Sequence, residues 1–320
     1  MDIVIFKPEE LTVGLGALRA LTPSLSERQA RYLEVIAELH GAALRASDLP
    51  RTAAWKVAET IADPHHRARL VQLGIIMTMV EGKVARPDVF AIKQLAHTLG
   101  VTEPALETLQ LLASGRGVLV RVQVMRRIMG RLVRKALREQ GVRGAYDIFA
   151  RLFGFAGVDA STARRYAKLA EYPRGSFGRA FYQYVRDNGF SLPGEKGAIP
   201  ERLLFHDLGH VLSGYSTQPE GEIQQAAFQA GFVRTDGFAF LFFGIVQFHL
   251  GFKMTPVADA EVGYFDVEKV MTAVARGAEL RADLSDGWNF WAHAAQPLVQ
   301  LRAELGMRLG APAAPVLAHA

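Results

Sequence analysis

The sequence predicts an all-α protein built from two helical units, an N-terminal small helix bundle and a C-terminal helical metal-binding domain, joined by a basic helix. Two observations carry that expectation. Apolar residues recur at three- and four-residue spacing along nearly the whole chain, and no run alternates apolar with polar as a half-buried strand does. Helix-capping residues and Gly or Pro stops also fall at intervals suited to short helices.

Residues 1–24 are read as an N-terminal segment without a leader peptide, since MDIVIFKPEEL is neither basic nor apolar enough. Ser26 or Ser24 can then cap a helix through Leu33, Ile36, Leu39 and Ala43. A second element follows Pro50 and stops near Asp63 and Pro64. A third runs from Arg67 to Val80, and Gly82 breaks it. Pro87 sits in the first turn of a fourth, which presents Val89, Ile92, Leu95 and Leu99 and stops at Gly100. Thr102 is expected to cap a fifth through Leu106, Leu109 and Leu112. Residues 25–115 thus read as one bundle of short antiparallel helices.

Residues 116–142 read as the basic linking helix. Arg121, Arg126, Arg127, Arg131, Arg134, Lys135 and Arg138 alternate there with valines, leucines, isoleucine and methionines, a pattern suited to an anionic lipid surface or to a solvated connecting face. No aromatic residue interleaves with these charges, which argues against a nucleic-acid partner. From 143 to 310 the chain reads as a second helical domain. Its helices run over Tyr146–Phe153 and Ala160–Ala170, and a third is capped by Ser176 and presents Phe177, Phe181, Tyr184 and Val185. The Ala- and Pro-rich residues 311–320 read as a loose tail.

With 320 residues, half of them apolar, the chain can bury real cores. It has no cysteine, which excludes thiolate metal sites, disulfides and cysteine nucleophiles. The most apolar stretch, Phe238 to Met254, is shorter than a membrane span and carries Gln247, His249 and Lys253. It reads as a buried core helix, with His249 a satisfied core histidine. His40, His65, His66, His97 and His293 show no partner spacing. The expected location is the cytoplasm, peripheral at a membrane, and apolar helix faces point to a homodimer.

The chemistry concentrates in IPERLLFHDLGHVLSGYSTQPEGEIQQAAFQAG. His206 and His210 are four apart, so on a helix they share one face and can hold one metal ion. Asp207 can be a ligand, a general base or an orienting partner. Glu222 on a continuous helix would lie about 18 Å beyond His210. A shared site therefore requires the chain to reverse through Gly214, Ser216, Thr217, Pro219 and Gly221. A site of His206, Asp207, His210 and Glu222 suits zinc and is acceptable to iron or manganese.

This segment resembles the ubiquinone (coenzyme Q) biosynthesis Coq-four family, whose signature is His-Asp-x-x-His, eleven residues, then Glu. The flanks GSFGRAFYQYVRDNGF and RGAELRADLSDGWNFWAHAAQPLVQLRAELGM are similar as well, so the resemblance covers roughly Arg143 to Gly310. It implies an all-helical zinc protein with a prenyl-lipid groove, associated with membranes and with other quinone-pathway enzymes. Its implied reaction removes the ring carboxylate of a prenylated quinone precursor, with hydroxylation at that carbon. Under that reading Asp207 and Glu222 handle protons, and Phe238, Phe242 and Phe248 wall the lipid groove. Gly209 departs from the bulky residue the family commonly has before its second histidine. The N-terminal part, most clearly MVEGKVARPDVFAIKQLAHTLGV, resembles a tellurite-resistance-type helical domain. Glu81 and Asp88 match its acids only in part, so it reads as an interaction or packing module.

LLFHDLGH also looks like an HD-type phosphohydrolase. Those enzymes need a further histidine on a preceding helix, and no histidine lies between His97 and His206. A zincin-type protease fits less well, because Asp207 is a methylene shorter than the usual base. The remaining alternative is a non-catalytic lipid-binding scaffold with a structural metal. An open coordination position separates an enzyme from that scaffold.

Overall fold

The computed structural model describes residues 1–152, 157–255 and 258–307, with the side chains at 131, 139, 140, 147, 149, 151 and 152 left aside. The expected loose tail therefore lies outside the described residues, as does the Phe153 end of the helix expected there. Among the described residues every regular element is helical, and β pairing is confined to two isolated bridges, Ser176 with Pro297 and Leu250 with Val262.

The N-terminal part holds α1 (Pro8–Ala20), α2 (Glu27–Leu39), α3 (Ala54–Thr60), α4 (Pro64–Met77), α5 (Arg86–Thr98) and α6 (Ala105–Ala113). Ser26 closes a capping box with Gln29 at the start of α2, and the Asp63 carboxylate accepts from His65 N–H ahead of Pro64 at α4. Helix α1 was not expected, because Gly14 and Gly16 weaken its pattern. The structure explains Gly16 as a close approach: Thr52 N–H donates to its carbonyl at 3.1 Å. A side chain there would overlap Thr52 and the Pro50 carbonyl. At α6, Thr102 does not provide the cap. The Glu103 carboxylate accepts from Ala105 N–H at 3.1 Å, across Pro104, which has no N–H to satisfy.

Helix α7 (Gly117–Leu152) holds the basic helix and a second segment across a break at Gly141, close to the expected boundary at 142, where a φ of 64° is open to glycine. It buries the i, i+4 stripe Val120, Val124 and Ile128, with Ala136 further along. Then follow α8 (Ala160–Ala167), a 3₁₀ turn at Lys168–Glu171, α9 (Phe177–Asp187), a 3₁₀ turn at Glu201–Leu203, α10 (Phe205–Ser213), α11 (Pro219–Phe232), α12 (Phe238–Phe248), α13 (Val267–Ala278), α14 (Phe290–His293) and α15 (Leu298–Glu304). Ser176 caps α9 as expected, accepting from Arg179 N–H.

The buried apolar side chains form one cluster that runs from Met1 to Met307 through both parts. Helix α11 lies at its centre, packed against α10, α12 and α13. The α11–α13 crossing is set by Gly231 and Gly277, where a Cβ on Gly277 would overlap the Phe228 carbonyl oxygen and stand 3.1 Å from the Gly231 Cα. Across the two parts, Arg31 of α2 pairs with Glu268 of α13 at 2.6 Å. His249 bridges them from the interior. Its Nε2–H donates to the carbonyls of Met79 and Val80 at 3.1 and 3.0 Å, and its Nδ1 accepts from Phe265 N–H at 3.2 Å. Burial lowers its pKa, in keeping with a neutral ring. No described helix is long and apolar enough to cross a membrane.

Replacing Gly277 by Ala should force α13 away from α11 and cost about 1–3 kcal/mol. Urea denaturation measures this; an unchanged midpoint would show that the crossing tolerates a methyl.

Candidate metal centre

Helix α10 supplies both histidines. It ends at Gly214, whose φ of 81° gives the left-handed cap, and the chain then reverses into α11, with Glu222 in the first turn. The reversal the sequence required is therefore present. His206 and His210 present their Nε2 atoms 3.3 Å apart. One Glu222 oxygen lies 3.4 Å from His206 Nε2 and the other 3.5 Å from His210 Nε2. The three side chains offer ligand atoms that all lie within 4.8 Å of one another. Asp207 is outside this set. Its half-buried carboxyl is pushed up in pKa by burial, against the pull of His206 and His210 and with the repulsion of Glu222.

The edges of this triangle fit a metal. Donor atoms about 2.0–2.1 Å from a tetrahedral zinc lie about 3.3–3.4 Å from one another. The outer ring nitrogens settle which inner atoms are free. His210 Nδ1 faces the Tyr215 carbonyl at 2.9 Å, so it must carry the proton and donate. His206 Nδ1 donates to Gln229 Oε1 at 3.0 Å. Neutral rings would thus aim two lone pairs at each other across 3.3 Å, which only a shared cation relieves. Without a metal a proton plays that part. Burial opposes the charged form of His206, but its hydrogen bond to Glu222 and the carboxylate charges raise its pKa to about 9. Burial likewise opposes Glu222 ionisation, and the two histidines outweigh it, holding its pKa near 2.

The supporting residues were not singled out in the sequence, although the signal was there. On α11, Gln225 and Gln229 follow Glu222 at i+3 and i+7, so one polar stripe runs down an otherwise apolar, buried helix. Gln225 donates to the His206 carbonyl at 3.2 Å and accepts from Ser213 Oγ at 3.0 Å, which ties α10 to α11 at both ends. Gly209 makes room for it, since any Cβ there would overlap the Gln225 amide. The departure at Gly209 thus acts on helix packing. Arg302 donates to the carbonyls of Leu212 and Val211 at 2.8 and 3.0 Å, satisfying the open end of α10. Tyr184 stacks on His210 with ring centroids 5.6 Å apart. Burial, then the charges of Asp207 and Glu222, push its phenol pKa up.

The site has one accessible side. The His210 side chain is 0% exposed and Glu222 19%, whereas His206 is 36% exposed. The phenylalanines expected to wall a groove are buried. Phe238, Phe242 and Phe248 of α12 are 1%, 2% and 5% exposed and stand in the packed core, with Phe238 under the Arg127 guanidinium. An apolar ligand would have to displace core side chains to touch them. No further histidine joins the cluster among the described residues, so the ligand set of an HD-type phosphohydrolase is not assembled.

In metal-free protein the two shifted groups should define a stability plateau. His206, raised from 6.5 to about 9, stabilises fully below pH 6.5 and loses that contribution as pH rises through 9. Glu222, lowered from 4.5 to about 2, contributes fully above pH 4.5 and loses it as pH falls through 2. Denaturation midpoints from pH 4 to 10 should fall on the alkaline side, and saturating zinc should flatten that limb. A limb unmoved by zinc would mean that metal and proton do not compete for this site. Gly209→Ala should displace Gln225 and cost about 1–3 kcal/mol in the same assay. Comparison with family models, with curated proteins and with solved structures finds no match for this chain.

Proposed function

We propose that the chain is a zinc-binding protein that acts on a prenylated aromatic precursor in ubiquinone biosynthesis. The observation that carries the metal reading is the triangle of His206, His210 and Glu222, with edges of 3.3–3.5 Å and one accessible side. Three protein ligands with a free fourth position are the pattern of a catalytic metal, whereas structural sites are closed. The substrate reading rests on the resemblance of His206-Asp207-Leu208-Gly209-His210 and Glu222 to the Coq-four signature.

In this reading His206, His210 and Glu222 would hold zinc, or alternatively iron or manganese, which would supply Lewis-acid polarisation of a phenol or carboxylate oxygen on the ring headgroup. Glu222 is committed to the ligand set. Asp207, beside it and outside the triangle, is then the proton carrier, and burial, which raises its pKa, favours its protonated form. Tyr184 fixes the plane of His210 by stacking. The proposed reaction is loss of the ring carboxylate as carbon dioxide with hydroxylation at that carbon by water, a two-electron oxidation whose electrons would pass to dioxygen to give hydrogen peroxide.

The same reading includes docking at an anionic membrane surface, which brings the prenyl tail to the protein. Support comes from α7, where Val118, Leu119 and Val122 are exposed beside Arg116, Arg121 and Arg126. Homodimerisation and association with other quinone-pathway enzymes belong to it on the strength of the resemblance alone. A second reading, a lipid-binding scaffold with a structural metal, shares the ligand set and differs in needing no free coordination position.

His210→Ala should abolish stoichiometric zinc, and Gln229→Ala should weaken it by about 10–100-fold while leaving the helical content intact. Metal analysis and competition with a chromogenic chelator measure both; full occupancy in His210→Ala would remove the site. Quinone profiles of a deletion strain complemented with wild type or Asp207→Asn separate the two readings. An enzyme predicts a carboxylated precursor that only wild type clears, and a scaffold predicts clearance by both. Unchanged quinones in the deletion strain would refute the pathway assignment.

A further inference from the structure

Helices α6 and α7 diverge next to Asp236 and leave a cleft of about 570 Å³ that shares no residue with the metal centre. Its long wall is the α7 stripe Arg126, Gly130 and Arg134, three positions spaced i, i+4, i+8 on one face. The missing side chain at Gly130 makes a notch between the two arginines, and a Cβ built there would meet only the Arg134 guanidinium, at 3.6 Å. Arg134 therefore already leans over the notch. Arg126 is exposed on its other side, and neither arginine has an ion pair or hydrogen bond among the described residues.

The remaining wall is fixed. Arg127 is held by Asp236 through two bonds of 2.9 and 2.5 Å and by Glu103 at 2.8 Å, so its charge is spent within the protein. Thr108 donates its hydroxyl to Gln123 Oε1 at 2.9 Å, which orients that amide and leaves its N–H₂ free to donate. Glu107 lines the same cleft with no ion pair among the described residues. Two unpaired guanidiniums around a notch, an oriented amide donor and one carboxylate make a site for an anion that carries a hydrogen-bond donor of its own.

We propose that this cleft binds a phosphate monoester. Arg126 and Arg134 would each supply N–H donors to its oxygens in the forked geometry that suits phosphate, and Gln123 would donate a further hydrogen bond. Glu107 would accept from a hydroxyl on the same molecule. The volume falls within the range of small-molecule sites. The phosphate group can belong to a soluble metabolite or to a lipid headgroup, since the same helix exposes Val118, Leu119 and Val122.

Two arms distinguish these sources. Calorimetric titration with glycerol 3-phosphate tests the soluble one, and flotation with phosphatidylcholine vesicles containing phosphatidic acid, or phosphatidylserine at equal charge, tests the lipid one. Gly130→Leu is the decisive variant, because it fills the notch, leaves every charge in place and raises helix propensity. Arg134→Gln is the second. Binding of glycerol 3-phosphate that weakens about tenfold or more in both variants supports a soluble ligand. Preference for phosphatidic acid over phosphatidylserine, lost in both variants, supports a lipid headgroup. The proposal is overturned if wild type neither binds glycerol 3-phosphate nor prefers phosphatidic acid over phosphatidylserine, or if Gly130→Leu keeps the binding or the preference that wild type shows.

Discussion

The burial of α11 is the constraint on which the rest of the structure depends. A helix enclosed along nearly all its length must satisfy its neighbours on every side, and α11 does so with three different surfaces. Gly231 lets α13 approach backbone to backbone. Phe228 and Phe232 fill the apolar interior. Glu222, Gln225 and Gln229 form a polar stripe that is paid for entirely by partners on α10. A buried polar stripe of this kind is costly unless every group is matched. The matching fixes the register of α10 against α11 and so places two imidazoles opposite one carboxylate.

The cluster of His206, His210 and Glu222 is thus a consequence of helix packing as much as of its own side chains. Gln225 binds the His206 backbone, Gln229 the His206 ring and Tyr215 the His210 ring, so the histidines are oriented before any ion arrives. Preorganisation of this sort lets a metal bind without the protein paying to order its ligands. The N-terminal helices contribute at a distance. Through His249 and the Arg31–Glu268 pair they hold α12 and α13, which in turn enclose α11. An account of the site that began at residue 143 would leave those supports out.

Much of the fold was legible because helix ends are local. Ser26, Pro87 and Ser176 each act within one turn, so their spacing to the next apolar residues marks α2, α5 and α9 directly, whereas Asp63, read as a stop, is the N-cap of α4. The pattern failed where tertiary contacts override local preference. Gly14 and Gly16 obscured α1, Gly16 because it serves a close approach, and Thr102 was displaced as a cap by a carboxylate one residue on. Phe238, Phe242 and Phe248 are apolar in either a groove or a core, and periodicity does not distinguish the two.

For the site, the sequence by itself determined which donor groups are on offer and the need for a reversal. Two histidines one helical turn apart share a face whatever surrounds them, and Gly214 to Gly221 cannot continue the helix to Glu222. Only the tertiary structure decided which acid joins them. Asp207 is adjacent in sequence to His206, yet successive residues on a helix point about 100° apart, so it turns away while Glu222 arrives from α11. It also decided the tautomers of both histidines and the side on which the site is open. Those depend on Gln229, Tyr215 and the packing of α10 on α11, contacts whose energies come from pairs distant along the chain and leave no periodic trace in it.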